Sequence, residues 1–374
     1  MHTGYEVMEI DPKTQRIAVQ AKDSPLHWEP YDQLVIATGS TPIVPAWEGV
    51  GATGVFAVKT LDDGVRIRQY IESQKPRHAV VVGGGYIGLE MAENLRRWDI
   101  ETALIEQQSE VMATLDADMG ALVSQGLRDI GVNLYLQQSV TDIEVKEGRV
   151  RGIHTESLHL PCDLLILGLG VKPESALAGS AGIQLGVKDA IRVDPYLRTS
   201  APSIWAVGDV AESTNLITGQ PGYVALATVA NKQGRIAGLN LSGASVRFPG
   251  VLGTAITRVG NLEVARTGVT VTEAKALQVE VLDMRIESET KLGYFPDVAP
   301  ITVKLVVNKS GQVFGGQIVG GAGSGKRIDT IAVAATAKMT VQDMVDLDLA
   351  YAPPFSDVWD PVQIAARALV SKIT

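Results

Sequence analysis

The sequence predicts an α/β fold followed by a smaller α+β region, and three features of the 374-residue chain predict it. A β-branched strand at residues 79–83 leads through a glycine turn into a helix and then into a second strand ending at residue 106. Another apolar strand, residues 203–207, ends in Gly-Asp. From residue 249 strands and hairpins precede closing helices, an order typical of an α+β domain.

Composition excludes several classes of function. The net charge is −9 with a pI near 5.2, so nothing favours binding to nucleic acid or to an anionic membrane. No stretch approaches the roughly 18 apolar residues of a membrane span, and the N-terminus lacks a signal-peptide pattern. Cys162 is the single cysteine, so no disulfide framework is expected and the sequence favours the cytoplasm.

Alternation and helical periodicity place the other elements in order. Residues 5–10 and 16–20 alternate around Asp11-Pro12-Lys13, which predicts a hairpin. The remaining pattern predicts strands at 31–39, 133–140, 164–168, 254–258, 262–267, 278–286, 301–307 and 312–319, a meander over 141–168, and helices at 61–74, 116–129, 225–239, 326–339, 341–348 and 360–372.

The glycines of Gly83-Gly84-Gly85-Tyr86-Ile87-Gly88 have separate expected roles. Gly83 makes the tight turn, Gly85 lets the backbone approach a pyrophosphate, and Gly88 lets helix and strand pack closely. Free amide groups and the helix dipole favour phosphate at this helix N-terminus. Because the flanking strand and helix are both in place, the motif predicts dinucleotide binding.

Glu106 ends the second strand and follows Gly83 by 23 positions, close to the spacing of an acid that binds the adenosine ribose hydroxyls. A carboxylate there repels a 2′-phosphate. Gln107 and Gln108 follow and no arginine does, so the sequence favours NADH over NADPH.

Asp209 follows Gly208 at the carboxyl end of a strand, where ligands bind in open α/β sheets. A carboxylate at that edge can accept hydrogen bonds from sugar or polyol hydroxyls. An ordinary Gly-Asp turn is the alternative.

Six motifs in order, the last of them in the C-terminal tail, resemble the pyridine nucleotide-disulphide oxidoreductases, and the nearest branch is that of CoA-disulphide reductases, NADH oxidases and NADH peroxidases. The resemblance covers essentially the whole chain. The motifs are Tyr31-Asp-Gln-Leu-Val-Ile-Ala-Thr-Gly39, Gly83 to Glu90, Gly170-Val-Lys-Pro173, Ile204-Trp-Ala-Val-Gly-Asp209, Ala230-Asn-Lys-Gln-Gly-Arg235, and Leu349-Ala-Tyr-Ala-Pro-Pro-Phe-Ser356 with Asp360-Pro-Val.

The resemblance implies an α/β fold with two Rossmann-like nucleotide-binding domains, the FAD domain split and N-terminally truncated and the NAD domain inserted, plus a C-terminal α+β dimerisation domain. The implied boundaries are 1–50 and 172–248 for the FAD domain, 51–171 for the NAD(P)H domain and 249–374 for dimerisation. FAD and NAD(P)H are the implied cofactors.

The resemblance also implies site residues. Asp209 would bind the flavin ribitol, and the helix beginning near residue 225 would direct its N-terminal dipole at the flavin pyrimidine edge. Tyr86 would gate the flavin face where nicotinamide stacks, with Glu90 nearby, and Tyr294 and Tyr351 would reach the partner subunit's site or serve as ordinary interface packing. The other implied cofactor-binding positions are Ala37, Thr38, Gly39, Gly170, Gly208, Ala225, Leu226, Ala227 and Thr228.

The chain departs from this family at its start. It lacks the first strand, glycine turn and helix, which bind the ADP half of FAD, and the redox cysteine that follows; this gap exceeds about 30 residues. We expect a misplaced start codon or a truncated product, and open sheet edges where strands are lost. Cys162 follows the nucleotide unit, far from the family's cysteine, and is predicted to be a buried structural thiol.

The five histidines all precede residue 160, so the C-terminal region lacks the acid/base histidine of glutathione reductase-like enzymes. Single-cysteine chemistry or direct reaction of flavin with oxygen is therefore favoured. The leading hypothesis is a homodimeric enzyme that passes a hydride from NADH to FAD and on to a disulphide of CoA type, a peroxide or oxygen. The alternatives are a truncated, non-catalytic dimeric module and a ferredoxin-type NADH reductase.

Overall fold

The structure is a computed structural model that describes residues 1–373, and it contains 22 strands and nine α-helices in that range. The strands are β1 (Tyr5–Asp11), β2 (Arg16–Ala21), β3 (His27–Pro30), β4 (Leu34–Ile36), β5 (Ser40–Pro42), β6 (Val55–Ala57), β7 (His78–Val82), β8 (Glu101–Glu106), β9 (Asn133–Leu136), β10 (Val140–Lys146), β11 (Arg149–Thr155), β12 (His159–Pro161), β13 (Leu164–Leu167), β14 (Val171–Pro173), β15 (Ile204–Ala206), β16 (Ser213–Thr214), β17 (Pro221–Gly222), β18 (Ala255–Val259), β19 (Leu262–Gly268), β20 (Val281–Glu289), β21 (Pro300–Asn308) and β22 (Val313–Gly320). The helices are α1 (Leu61–Gln74), α2 (Tyr86–Arg97), α3 (Ala117–Asp129), α4 (Ala176–Ser180), α5 (Ala227–Leu241), α6 (Val271–Ala276), α7 (Ile328–Thr336), α8 (Val341–Val345) and α9 (Pro361–Ile373).

The chain forms two compact units, each built from two stretches of sequence. Unit 1 comprises Met1–Thr41 and Val171–Val251, and unit 2 comprises Pro42–Gly170 and the chain from Leu252 onward. The four-domain division expected from the sequence stays a prediction. The two units are defined by their compactness, which does not show which cofactor each segment binds.

Unit 1 contains the predicted hairpin and a short parallel pair. β1 and β2 pair antiparallel, and the Asp11 carboxylate closes their turn by accepting bonds from the Lys13 amide at 2.9 Å and the Thr14 hydroxyl at 2.6 Å. β4 pairs in parallel with β15, and Ile36 and Ile204 from this pair are buried in one apolar cluster. The predicted strand 31–39 is thus correct in type and longer than the observed one.

Unit 2 contains a five-stranded parallel sheet with the order β6-β13-β7-β8-β9. The single strand expected over 133–140 is wrong. Gln137 adopts φ +56°, and its amide donates to the Gln108 carbonyl, so β9 ends there. The chain resumes as β10 in a separate antiparallel sheet of β10, β11 and β12, with the predicted turn at 147–148.

The C-terminal stretch of unit 2 is an antiparallel sheet with the order β18-β19-β22-β21-β20, packed with helices as the strand-then-helix pattern predicted. It shares one apolar cluster with the parallel-sheet region, in which Leu127 of α3 lies with Val264 and Val319. A Cβ on Gly126 would lie 2.9 Å from Leu262, so α3 approaches β19 closely.

A buried ionic cluster joins the same two stretches. The Asp116 carboxylate accepts bonds from Gln317 at 2.7 Å and the Thr272 amide at 2.9 Å, and it lies 3.1 Å from the Lys304 ammonium. Burial alone would raise the pKa of Asp116, but the hydrogen bonds and the lysine charge outweigh it and lower the pKa. Burial likewise opposes charge on Lys304, yet Asp118 and Asp116 raise its pKa.

Among residues 1–373, no helix is both long and apolar enough to span a membrane.

Candidate functional site

The glycine turn of unit 2 joins β7 to α2 and leaves no room for side chains at two positions. Gly83 has φ +104°, and a Cβ there would lie 2.5 Å from the Gly168 carbonyl oxygen. A Cβ on Gly88 would lie 1.8 Å from the Gly83 carbonyl oxygen. At Gly85, by contrast, a Cβ would meet nothing within 4 Å. The two tight positions bring α2 against the strand, and the space beside Gly85 is free for a ligand.

The N-terminus of α2 carries no side-chain cap, because its N-cap residue is Gly85. Three other helices of unit 2 have complete capping boxes, built on Thr60, Thr270 and Thr340. The amide groups at the start of α2 are therefore available to an external acceptor such as a phosphate.

Glu106 lies at the end of β8 and faces this turn. Its Oε2 accepts a bond from the Gly84 amide at 2.7 Å, and its Oε1 accepts one from the Gln108 amide at 2.8 Å. These two bonds hold a carboxylate beside the uncapped helix end, where an acid that binds ribose hydroxyls is expected.

Tyr86 and Glu90 lie on the first turns of α2. Burial raises the pKa of the Tyr86 hydroxyl, which is hydrogen-bonded to Thr114. The Glu90 carboxylate accepts a bond from the Thr257 hydroxyl at 3.0 Å. Both side chains thus have partners within unit 2, and their roles toward a flavin stay predictions. Gly170, at the end of the same unit, has φ +87° and accepts a bond from the Ile43 amide at 2.9 Å.

In unit 1, Gly208 and Asp209 follow β15 as a short 3₁₀ turn. Gly208 has φ +77°, and its amide donates to the Gln233 side-chain oxygen at 2.7 Å. The Asp209 carboxylate accepts a bond from the Ser40 hydroxyl at 3.0 Å. The carboxylate is therefore fixed at the carboxyl end of the parallel pair, as an acid that binds polyol hydroxyls requires.

Three neighbours of this turn were not predicted from the sequence. They are Ser40, Gln233 and Tyr223, whose hydroxyl lies close to Ser40 and Asp209. Burial raises the pKa of Tyr223 to about 12, so the phenol is neutral and can donate a hydrogen bond. The adjacent Thr41 hydroxyl is buried and has no partner among the described residues, which indicates a place for a further polar group.

Residues 37–39, which follow β4, are accessible to solvent. Ala37 and Thr38 are exposed, and Gly39 has φ +76°. The Thr38 hydroxyl donates to the Glu174 carbonyl at 2.6 Å, while the Glu174 amide donates to the Gly39 carbonyl at 2.9 Å. These bonds hold the segment in place with its backbone accessible.

Helix α5 begins at Ala227, two residues later than predicted, because Ala225 and Leu226 are still extended or irregular. Its N-cap, Leu226, makes no side-chain cap, and Ala227 and Thr228 are exposed. Like α2, this helix presents unpaired amides and a positive dipole end, which suits an electron-rich ligand edge.

The two groups of residues differ in the cofactor that each fits. The turn at Gly83–Gly85 with Glu106 fits a dinucleotide without a 2′-phosphate. Three features fit the polyol and ring portions of a flavin: the fixed Asp209 carboxylate, the uncapped α5, and the Thr41 hydroxyl, which has no partner within residues 1–373. The site residues chosen from the sequence therefore form one group in each unit.

The remaining candidates lie elsewhere. Tyr294 is 72% exposed and Tyr351 is 48% exposed, so in one chain their side chains face solvent. Cys162 is 2% exposed in an apolar cluster, and burial raises its pKa to about 12. A thiol that stays protonated is a poor nucleophile, so the prediction of a structural cysteine agrees with its surroundings.

Comparison with known proteins agrees with this geometry. Residues 1–234 match the family described as pyridine nucleotide-disulphide oxidoreductase, and residues 254–362 match the dimerisation domain of that family. The chain is 39% identical to an NAD(P)H sulfur oxidoreductase (CoA-dependent) of Pyrococcus abyssi, over 99% of this chain and 82% of that protein. It is 35% identical to an NADH oxidase of Methanocaldococcus jannaschii, over 100% of this chain and 83% of that one.

Solved structures show the same similarity. The reduced CoADR-RHD of Bacillus anthracis superposes with a TM-score of 0.95 at 37% identity, covering 99% of this chain and 67% of that one. An NAD-dependent persulfide reductase from A. fulgidus gives a TM-score of 0.93 at 37% identity, covering 98% and 69%. The chain therefore belongs to the pyridine nucleotide-disulphide oxidoreductases, a family of FAD-dependent enzymes that oxidise NADH or NADPH.

Proposed function

We propose that the chain oxidises NADH and delivers the electrons through FAD to a sulfur acceptor of the CoA-disulphide or persulphide class. The observation that carries the choice of NADH is the Glu106 carboxylate, held beside the glycine turn by the Gly84 and Gln108 amides. The relatives whose names contain CoA-dependent sulfur oxidoreductase and persulfide reductase support the acceptor class.

Residues of unit 2 bind and orient the nicotinamide nucleotide in this proposal. The amides at the start of α2 hold the pyrophosphate, and Glu106 accepts hydrogen bonds from the ribose hydroxyls while repelling a 2′-phosphate. Tyr86 and Glu90 lie on the first turns of the same helix, where they would control access to the nicotinamide end.

Residues of unit 1 hold the flavin. Asp209 would accept hydrogen bonds from ribitol hydroxyls, Gly208 would allow their approach, and the Ala37–Gly39 backbone would contact the cofactor. Residues 225–228, at and just before the N-terminus of α5, would lie near the flavin pyrimidine edge, where the positive end of the helix dipole would favour negative charge. When bound, FAD would supply the hydride-accepting and electron-transferring chemistry.

The reaction balances without a further reactant. One NADH and one proton supply two electrons and two protons, which convert one disulphide to two thiols and leave NAD⁺. Cys162 does not provide the attacking thiolate, since it is buried and its pKa is raised to about 12.

We further propose that the active form is a homodimer in the cytoplasm. The match of residues 254–362 to a dimerisation domain supports the dimer, as do the exposed apolar side chains in that stretch. They include Tyr294, Tyr351, Phe355 and Val358. Aromatic side chains such as the first three are enriched in interfaces. Tyr294 and Tyr351 would then lie at or near the partner's site.

Oxygen as the acceptor is the second candidate. The 35% identical relative named an NADH oxidase favours it. Two electrons from NADH convert oxygen to hydrogen peroxide with one added proton, and four convert it to water.

Anaerobic stopped-flow spectroscopy of the FAD-loaded protein separates these proposals. We expect NADH to bleach the flavin absorbance, and CoA disulphide or CoA persulphide to restore it faster than oxygen does. Restoration by oxygen alone would establish the second candidate. Protein that binds NADH, stays colourless after incubation with FAD and shows no spectral change would instead be a non-catalytic module.

A further inference from the structure

Three potential metal ligands lie together on the small antiparallel sheet of unit 2, outside the nucleotide turn. They are Glu144 on β10, His154 on β11 and His159 on β12, and one ligand atom from each lies within 4.8 Å of the others. His159 Nε2 lies 2.8 Å from Glu144 Oε2, and the two imidazole rings stack with centroids 4.5 Å apart. One face of three consecutive strands thus carries two imidazoles and a carboxylate.

The register of the strands produces this arrangement. His154 and His159 are direct cross-strand partners, and Glu144 is the partner of Gly152, two residues before His154. Residues two apart on a strand and residues opposite each other share a sheet face, so all three side chains project on the same side. Asp142, the cross-strand partner of His154, adds a second acidic residue to that face.

Gly152 leaves space beneath the cluster. A Cβ at this position would lie 2.8 Å from His159 Nε2, 3.2 Å from Glu144 Oε2 and 2.9 Å from the Leu160 carbonyl oxygen. Any other residue would therefore displace the two ligand atoms. The side chains of His159 and Glu144 are 49% and 44% exposed, so an ion can reach them from solvent.

We propose that Glu144, His154 and His159 bind one zinc ion. Two neutral imidazoles and one carboxylate are ligands that Zn²⁺ prefers, and solvent completes a tetrahedral shell. The ion replaces the direct His159–Glu144 hydrogen bond and links three strands. β12 has only three residues, so the ion anchors the shortest strand of a sheet that contributes Val150 and Ile153 to a buried apolar cluster with Cys162.

Zinc titration of the FAD-loaded, tag-free protein against a chromophoric chelator tests the proposal. We expect one zinc per chain in the wild type. His154→Gln and His159→Gln should each weaken binding by more than the roughly 10–100-fold that loss of an outer-shell partner costs. His27→Gln is the matched control, since His27 lies 3.3 Å from Glu29 and belongs to no such three-ligand group among residues 1–373.

Equal zinc affinity in the wild type and the His154→Gln/His159→Gln double variant would overturn the proposal, as would an equal loss in His27→Gln. Circular dichroism checks that the variants fold. X-ray absorption of the zinc-loaded wild type gives a result that depends on no variant. Two imidazole ligands support the site, and a shell without imidazole overturns it.

Discussion

Replacing Glu106 by serine should move the nucleotide preference from NADH toward NADPH. The carboxylate is the acceptor for the Gly84 and Gln108 amides, at 2.7 and 2.8 Å. Serine removes the negative charge and leaves both amides free as donors. A 2′-phosphate can then approach the end of β8 without repulsion and can accept from those same amides.

The size of the effect follows from the geometry. NADH loses hydrogen bonds to a charged acceptor, which costs about 1.5–3 kcal/mol. NADPH escapes repulsion between unit charges about 4 Å apart, roughly 1 kcal/mol in water and about 4 kcal/mol near a protein surface. Glu106 is half-buried, so the energy of its repulsion with a 2′-phosphate lies between these limits. The ratio of the two affinities should therefore change by at least about 70-fold.

Isothermal titration with NADH and NADPH measures this ratio directly. Glu101→Ser is the matched control, because Glu101 begins the same strand, away from the turn, beside Asn133 and His78. It should keep the wild-type ratio. If Glu106→Ser folds normally and also keeps the wild-type ratio, the carboxylate does not select the nucleotide and the reasoning fails.

Three further changes test packing, electrostatics and assembly. Gly88→Ala should lower the free energy of unfolding by about 1–3 kcal/mol in urea titration, because its methyl group would overlap the Gly83 carbonyl; unchanged stability would contradict the close packing. Lys304→Met should cost about 3–5 kcal/mol by unpairing Asp116, against at most about 1 kcal/mol for the exposed Lys309→Met. Asp116 has a lowered pKa and Lys304 a raised one, so this difference should persist between about pH 4 and pH 10 and shrink beyond both limits. Phe355→Asp should weaken the dimer by about 30-fold or more in analytical ultracentrifugation, and an unchanged dimer would place the interface elsewhere.

Strongly periodic segments were predictable from the sequence. Helix α1 has the predicted bounds of 61–74, since its capping Thr60 and its apolar spacing are local signals. Helix α6 was not predicted, although Thr270 and Glu273 form a capping box that could have indicated it. The break after β9 could not be predicted, because Gln137 adopts a left-handed conformation without being glycine or asparagine.

The residues of the candidate site also include some that the sequence could predict and some that it could not. Gly83, Gly88 and Glu106 lie within one strand-turn-helix-strand unit, so their spacing in the sequence was sufficient to predict the turn and the acid beside it. Ser40 reaches Asp209 only because β4 pairs with β15, across 169 positions, and no local pattern indicates such a contact. The contacts of all these residues with cofactors stay predictions.

The bond between the Asp116 amide and the Gln317 side chain spans 201 positions and has a consequence for biosynthesis. A ribosome releases the α3 region well before it synthesises β22, and the second stretch of unit 1 emerges in between. The part of α3 that packs against β19 and β22 must stay uncovered during that interval, because these strands do not yet exist, although β9 already packs against the helix. Nascent chains paused before residue 317 should therefore recruit chaperones that recognise hydrophobic surface, and those paused after the C-terminal sheet has emerged should release them.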